Sequence, residues 1–356
     1  MEFESVRQLH RALLIPELLN NILSLMDRDE SAVNARVCKQ WSDIALDLIW
    51  REVVGLARLL ELLKPGYNRN HRFNAFDDDR PPNLRDWERF QKYANRVRIL
   101  RYEQGPVDHC NILNDMAMTR PKFEILPNLH TLEWLFQDID CMKGVTLFMH
   151  QRVRHLVISA PPQSYDAKSS FFLDVCGRMP HLHSLDLRVP YSARLIEKNV
   201  VELLRGLSDL EEVIFREFDF TPAIVSELSR MKHINSMQFK HGQKHGFGGD
   251  VMPVLQQGAF PMLQKLRITE RLEDVTRFMN IDFSPINIAS LSIDTYVEHE
   301  PEQLHMLLVT LSDRCHLLSE LCIRLVHVPA RGWAAPLKLN PAHQIMFDTL
   351  RPVLSF

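Results

Sequence analysis

The sequence predicts an α/β chain built in two parts, a short unit of three helices followed by a long run of strand–helix repeats. Two observations carry that prediction. The first is an apolar stripe at helical spacing near the N-terminus, formed by Leu18, Ile22 and Met26 with Leu19 and Leu23 beside them. The second is a short strand pattern, apolar-x-x-Leu-x-apolar, that recurs from Arg96 onward.

The N-terminal segment divides into three helices over Ile15 to Trp50. Pro16 suits a first helical turn, where its missing N–H would be unpaired anyway. Asp27-Arg28-Asp29-Glu30 reads as a connector, and Ser31 as the N-cap of a second helix through Ala32, Val33 and Arg36. A third segment, Cys38 to Trp50, sets Trp41, Ile44, Ala45 and Leu48 on one face. About forty residues rarely bury enough area to stand alone, so this much apolar surface asks for a partner. Met26, Trp41 and Trp50 suit an interface core, where Met and aromatic residues are enriched.

Val53 to Leu63 continues as an apolar helix, ended by the turn signal Lys64-Pro65-Gly66. A polar, irregular loop is expected over about 65–83, including Asp77-Asp78-Asp79. That triplet lacks the alternating ligands and glycine of a calcium loop, so it reads as a solvated loop. Asp86-Trp87 opens a further helix with Phe90, Tyr93 and Ala94 on its buried side.

The repeated strands are Val97/Leu100/Tyr102, Leu129/Leu132/Trp134, Val153/Leu156/Ile158, Leu182/Leu185/Leu187, Leu210/Val213/Phe215, Ile234/Met237/Phe239, Leu263/Leu266/Ile268, Ile288/Leu291/Ile293 and Leu318/Leu321/Ile323. Their middle positions lie 24 to 32 residues apart, near the leucine-rich-repeat period. Helix signals lie between them: Thr221-Pro222 before Ile224, Asp250 before Val251, Val254 and Leu255, Ser169-Ser170 before Phe171, and Pro301 before Leu304. One strand–helix unit cannot bury both apolar faces alone, so neighbours must stack into a solenoid. An ordinary doubly wound sheet is the alternative, but it does not demand the same strand pattern in every unit.

With these residues in view, two resemblances can be stated. The run Ile15-Pro16-Glu17-Leu18-Leu19, Ile22-Leu23, Val37-Cys38-Lys39-Gln40-Trp41, Ile44-Ala45 and Trp50 resembles an F-box. Ile15 replaces the family's usual Leu, and Ala32-Val33-Asn34 stands where the family favours bulkier Leu. The whole chain resembles the F-box and leucine-rich-repeat proteins that fungi carry in large families. The resemblance implies an F-box over 12–53, a helical linker over 54–95 and a leucine-rich-repeat solenoid over 96–356. The solenoid would be a curved, mostly parallel sheet with helices on its convex side. It further implies docking on the Skp adaptor, and through it a cullin, by Ile15, Pro16, Glu17, Leu18, Ile22, Leu23, Val37, Cys38, Trp41 and Trp50. A small helical cap over the end of the solenoid is the competing reading of the same segment.

Alternate strand residues would then face a protein target across the concave surface: Glu133, His155, Asp186, Glu212, Gln238, Lys265, Arg267, Ser292 and Glu320 are the candidates, with Thr131, Ser184, Ser236 and Ser290 beside them. Their mixed charge shows no dense arginine cluster that would favour a phosphorylated target. The expected function is a substrate receptor of a ubiquitin ligase. The alternative is a leucine-rich-repeat scaffold that binds protein without that role.

Catalysis, cofactors and metals are not expected. The sequence holds no nucleophile elbow, Walker loop, His-Glu-x-x-His or dinucleotide fingerprint. Gly246, Gly248 and Gly249 are not followed by Lys-Ser/Thr, and His241 and His245 sit in a loop context. His181, His183, His299 and His305 lack ligand spacing and read as structural or surface residues. A net charge of -3 argues against a general nucleic-acid or anionic-membrane binder. The six cysteines form no C-x-x-C pair and read as reduced thiols, giving a cytoplasmic or nuclear expectation. No signal peptide or membrane-spanning run is read. The segment 347–356 looks like the helix before another repeat, which suggests a solenoid cut short or an open end that pairs with a partner.

Overall fold

The computed structural model of the chain describes residues 13, 15–65, 81–104, 109–136, 139–159, 168–188, 193–216, 221–240, 253–295 and 301–325. These fall into two compact units, 1–157 and 158–356. Most of the expected loop at 65–83, the glycine-rich stretch with His241 and His245, His299, and the segment 347–356 lie outside the described residues.

The first unit opens with three helices, α1 (Pro16–Ser24), α2 (Arg28–Asn34) and α3 (Lys39–Arg51). Pro16 occupies the first turn of α1 as expected. The start of α2 differs from expectation. Asp27 is its N-cap, and Asp27 and Glu30 exchange side-chain and backbone hydrogen bonds as a capping box. The acidic run therefore forms the first turn, where carboxylates offset the helix dipole. Ser31 is interior and buried. Leu19, Leu23 and Ala45 form the core of the three helices, with Trp41, Ile44 and Leu48 packed around them.

The helix expected over Val53 to Leu63 is instead a strand and a helix, β1 (Glu52–Val54) and α4 (Ala57–Leu63). Two β-branched residues favour extended backbone. Gly55, at φ 74°, then turns the chain where a side chain would be strained. Next come α5 (Leu84–Ala94), β2 (Ile99–Glu103), α6 (Cys110–Thr119), β3 (Thr131–Leu135) and α7 (Ile139–Val145). Helix α5 starts at an Asn83–Asp86 capping box, slightly ahead of the expected Asp86-Trp87 opening. Strands β1, β2 and β3 pair in parallel, in chain order, with Val53 opposite Leu100 and Leu100 opposite Leu132. Tyr102, Trp134 and Phe148 stack in sequence beneath them, with ring centroids 4.3 and 5.4 Å apart. Strand β4 (His155–Ser159) lies at the division between the units.

The second unit runs α8 (Lys168–Arg178), β5 (Ser184–Arg188), a 3-10 turn, α9 (Glu197–Gly206), β6 (Glu212–Arg216), α10 (Pro222–Ser229), β7 (Ser236–Lys240), β8 (Lys265–Thr269), α11 (Leu272–Met279), β9 (Ser290–Thr295), α12 (Pro301–Arg314) and β10 (Glu320–Leu325). From β5 to β10 each strand pairs in parallel with the next in chain order. This is the arrangement that stacked strand–helix units produce. The repeated apolar positions form buried rows, Leu185, Val213, Met237, Leu266 and Leu291 in one and Leu187, Phe215, Phe239, Ile268 and Ile293 in the next. The last copy, Leu318/Leu321/Ile323, is only half-buried. Between β7 and β8 the expected helix around Val254 and Leu255 is absent from 253–260, which is irregular backbone. Pro253 lies within that run, and a proline inside a helix removes a hydrogen-bond donor and clashes with the preceding turn.

Candidate binding surfaces

The apolar residues of α1 span a wide arc at about 100° per residue. Leu19 and Leu23 occupy one side of it and are buried. The other side stays open, with Ile15 44%, Leu18 43%, Ile22 38% and Leu25 88% exposed. Asn34 donates to the Met26 sulfur at 2.9 Å, which sets the end of α2 beside this stripe. Val33 and Val37 are exposed nearby in sequence. A stripe only half consumed by its own core leaves apolar surface for another chain.

Of the ten residues expected to touch an adaptor, Ile15, Pro16, Glu17, Leu18, Ile22, Val37 and Cys38 are exposed. Leu23 is in the core, 1% exposed, and can act only by supporting the helices. Trp41 also packs against that core, and its Nε1 is buried without a hydrogen-bond partner among the described residues. Trp50 stacks on Tyr93 at 4.9 Å. It also lines a cleft of about 380 Å³ with Arg28, Asp29, Ile49, Arg58 and Leu62. Leu25 is the exposed apolar residue that pattern reading passed over.

The second surface is the open face of the strands. Residues alternate across a strand, so those between the buried apolar rows share the opposite face. In the second unit the register aligns them into rows. Ser184, Glu212, Ser236, Lys265, Ser290 and Glu320 form the first. Asp186, Ile214, Gln238, Arg267, Ser292 and Cys322 form the second. Glu212 accepts from Ser184 Oγ at 3.0 Å and from Gln238 Nε2 at 3.4 Å, and Glu320 accepts from Ser290 Oγ at 2.7 Å. Asp186, expected to meet a target, is 4% exposed. At that depth it can shape the face but offers almost no contact area. Arg267 is tied to Asp294, a residue that the sequence pattern did not single out.

In the first unit, Arg101 bridges Glu52 on β1 and Glu133 on β3, the latter at 3.4 Å. Glu133 is thus partly engaged within its own sheet. His155 is exposed, and its proximity, after burial, helps lower the pKa of His130. In the second unit His181 pairs with Asp209 at 2.9 Å and holds that carboxyl below its usual range, so this histidine serves a local hydrogen bond.

Among the described residues no group of histidine, cysteine and carboxylate side chains is assembled to hold a metal ion. No described helix is long and apolar enough to cross a membrane. No protein-family model matches the chain, and no curated protein matches it significantly. Fold and surface thus define a class, an α/β chain of stacked parallel strand–helix units that follows a three-helix segment with a half-open apolar stripe.

Proposed function

We propose that this chain is the substrate-recognition subunit of a Skp–cullin–F-box ubiquitin ligase. The three N-terminal helices dock on the Skp adaptor, and the open face of the repeats binds a protein target. The observation that carries the reading is the exposed half of the α1 stripe, Ile15, Leu18 and Ile22, in the order and spacing of the F-box resemblance. A cap that merely closed a repeat array would turn its apolar stripe inward and present a polar outer face.

Such a receptor performs no bond chemistry of its own. It holds a target near the charged ubiquitin and raises the effective concentration of the two reactants. The chemistry belongs to the other subunits, and selectivity belongs to the strand face.

The test is capture of the Skp adaptor by the full chain and by Leu18→Asp and Ile22→Asp variants. Capture by the native chain, lost in both variants with the melting transition unchanged, is the expected result. If the native chain fails to capture the adaptor, the reading falls, and a repeat scaffold without a ubiquitin-ligase role takes its place.

A further inference from the structure

One edge of the first unit gathers basic residues from four separate places in the sequence. The Arg51 carbonyl, at the end of α3, accepts from the Arg98 amide at 2.9 Å. The Arg98 carbonyl accepts from the His130 amide at 2.9 Å, and the His130 carbonyl from the Arg154 and His155 amides at 2.9 and 3.0 Å. Arg51, Arg98, His130 and Arg154 are therefore successive steps of one ladder just ahead of the strands, with neighbouring backbones about 4.8 Å apart. Like charges at that spacing repel. The fold does not require them, because in the second unit the same step of the ladder is filled by Glu211, Asn235, Gln264 and Ala289.

The side chains keep this charge open. Arg51 is exposed and has no side-chain partner among the described residues. Arg98 Nη1 donates to the backbone carbonyls of Asn95 and Val97, at 2.8 and 3.4 Å, which holds the guanidinium in place without neutralising it. His130 Nδ1 meets Thr131 Oγ1 at 2.9 Å, and Nε2 has no partner among the described residues. Arg154 donates to the Gln151 carbonyl and has further contacts of its own, so the site does not depend on it. The neighbouring acids are engaged elsewhere, Asp43 and Asp47 by Arg96 and Glu52 by Arg101. Burial pushes the His130 imidazole below its ordinary value, and His155, Arg51 and Arg98 push it further the same way; no carboxylate is among these influences. The two arginines and the two histidines thus meet in space as well as in register.

We propose that the edge formed by Arg51, Arg98 and His130 binds a phosphate dianion carried on a side chain of a protein partner. The strand faces, with their mixed charge, give no such cluster, and these cations lie off them at the start of the strands. A phosphorylated residue brings nearly two charges and three acceptor oxygens, against one charge and two oxygens for a carboxylate. Two guanidinium groups from adjacent steps supply donors for two of those oxygens. His130 Nε2 can donate to the third when Thr131 donates to Nδ1. The edge is open, so a free small anion would gain little beyond these bonds, and a larger partner adds contacts of its own. Where the receptor reading holds, this partner is the target; the site itself stands on the edge residues alone.

Retention of labelled peptides on the full immobilised chain tests this. Three degenerate pools are used, with phosphoserine, serine or glutamate fixed at the centre. The phosphoserine pool is expected to be retained about tenfold more than either other pool, and less as salt screens the pairing. Arg51→Ala should remove most of that difference, and exposure of Arg51 makes the variant harmless to folding. Arg98→Gln should do the same, with Arg98→Lys as the milder variant should loss of the carbonyl bonds disturb the chain. Lys265→Ala, in the second unit, should retain the difference. A bound dianion should also raise the titration of the His130 ring followed by NMR, a shift that a purely structural edge would not show. Equal retention of the three pools overturns the proposal, as does full retention by folded Arg51 and Arg98 variants. Inorganic phosphate that binds as tightly as the retained peptides, or an oligonucleotide that displaces them more readily than unlabelled phosphopeptide, overturns it as well. Capture of the Skp adaptor, measured on the same proteins, tests the receptor reading separately, because it depends on α1.

Discussion

Arg267 donates from both Nε and Nη2 to one carboxylate oxygen of Asp294, at 3.0 and 2.8 Å. Arg324 Nε reaches the other oxygen at 2.8 Å, so three adjacent strands, β8, β9 and β10, are joined through one side chain that is 7% exposed. Charge-assisted bonds to a buried carboxylate are worth more than exposed pairs. Both arginines are partly exposed and can rehydrate, which limits the loss when the acid is removed. Asp294→Ala should therefore destabilise the chain by about 2 kcal/mol in urea unfolding. A double-mutant cycle with Arg267→Ala should return a coupling of roughly 1 kcal/mol. A coupling of zero would mean the contact contributes nothing beyond what water supplies.

Neighbouring leucines on α1 should behave in opposite ways. Leu19 is 0% exposed in the three-helix core, and Leu18 is 43% exposed. Leu19→Ala leaves a cavity and should cost about 3 kcal/mol. Leu18→Ala should change stability by less than about 0.5 kcal/mol. If the receptor reading holds, Leu18→Ala weakens adaptor capture while the melting transition stays in place. Equal destabilisation by both substitutions would show that the open side of the stripe is covered within the chain itself.

His150 makes a sharp pH prediction. Its ring is 4% exposed, Nε2 donates to the Leu126 carbonyl at 2.9 Å, and Nδ1 accepts from the Arg152 amide at 3.2 Å. Both nitrogens are satisfied only in the neutral form. Burial pushes the imidazole below its ordinary value of 6.5, outweighing the upward pull of the Leu126 carbonyl and of Glu124. The unfolded chain therefore takes up this proton first as pH falls. The contribution to stability is complete above about pH 6.5 and is lost as pH drops through the folded value. Nitrogen NMR should find the His150 ring titrating below the ordinary imidazole value of 6.5, and His150→Gln should flatten the fall of stability as the pH drops below about 6.5. A ring already protonated at pH 6.5 would contradict this.

Much of the sheet was readable because each strand writes its own local pattern. Leu185 and Leu187 are buried for the same reason that Leu132 and Trp134 are, and the six-residue motif repeats around each pair. Strand β1 escaped because it offers only Val53 and Val54 after a long helix, and Gly55 follows at once. Its strand identity comes from pairing with β2, a tertiary fact. Leu18 and Leu19 belong to one stripe in sequence, and only packing decides which becomes core. The Asp294 hub was invisible because an acid at a strand end announces nothing until two arginines are seen to reach it.

Gly206 and Cys176 supply the last prediction, on the packing of α8 against α9. A Cβ added at Gly206 would sit 2.5 Å from Cys176 Sγ and 3.1 Å from its Cβ, closer than atoms tolerate. The thiol also reaches the Leu203 carbonyl at 3.6 Å, which holds it in that place. Gly206→Ala gains helix propensity of up to about 1 kcal/mol, but it must push the sulfur aside or spread the helices, and overpacking costs about 1–3 kcal/mol. The single substitution should therefore destabilise on balance. Cys176→Ala removes the nearer atom, so the Cys176→Ala/Gly206→Ala double variant should recover most of the loss and depart from additivity by roughly 1 kcal/mol or more. Thermal or urea unfolding of the four proteins in the cycle decides the matter. Strict additivity would mean that the helices part freely at this contact and that the small residue at 206 serves the chain end of α9 rather than its packing.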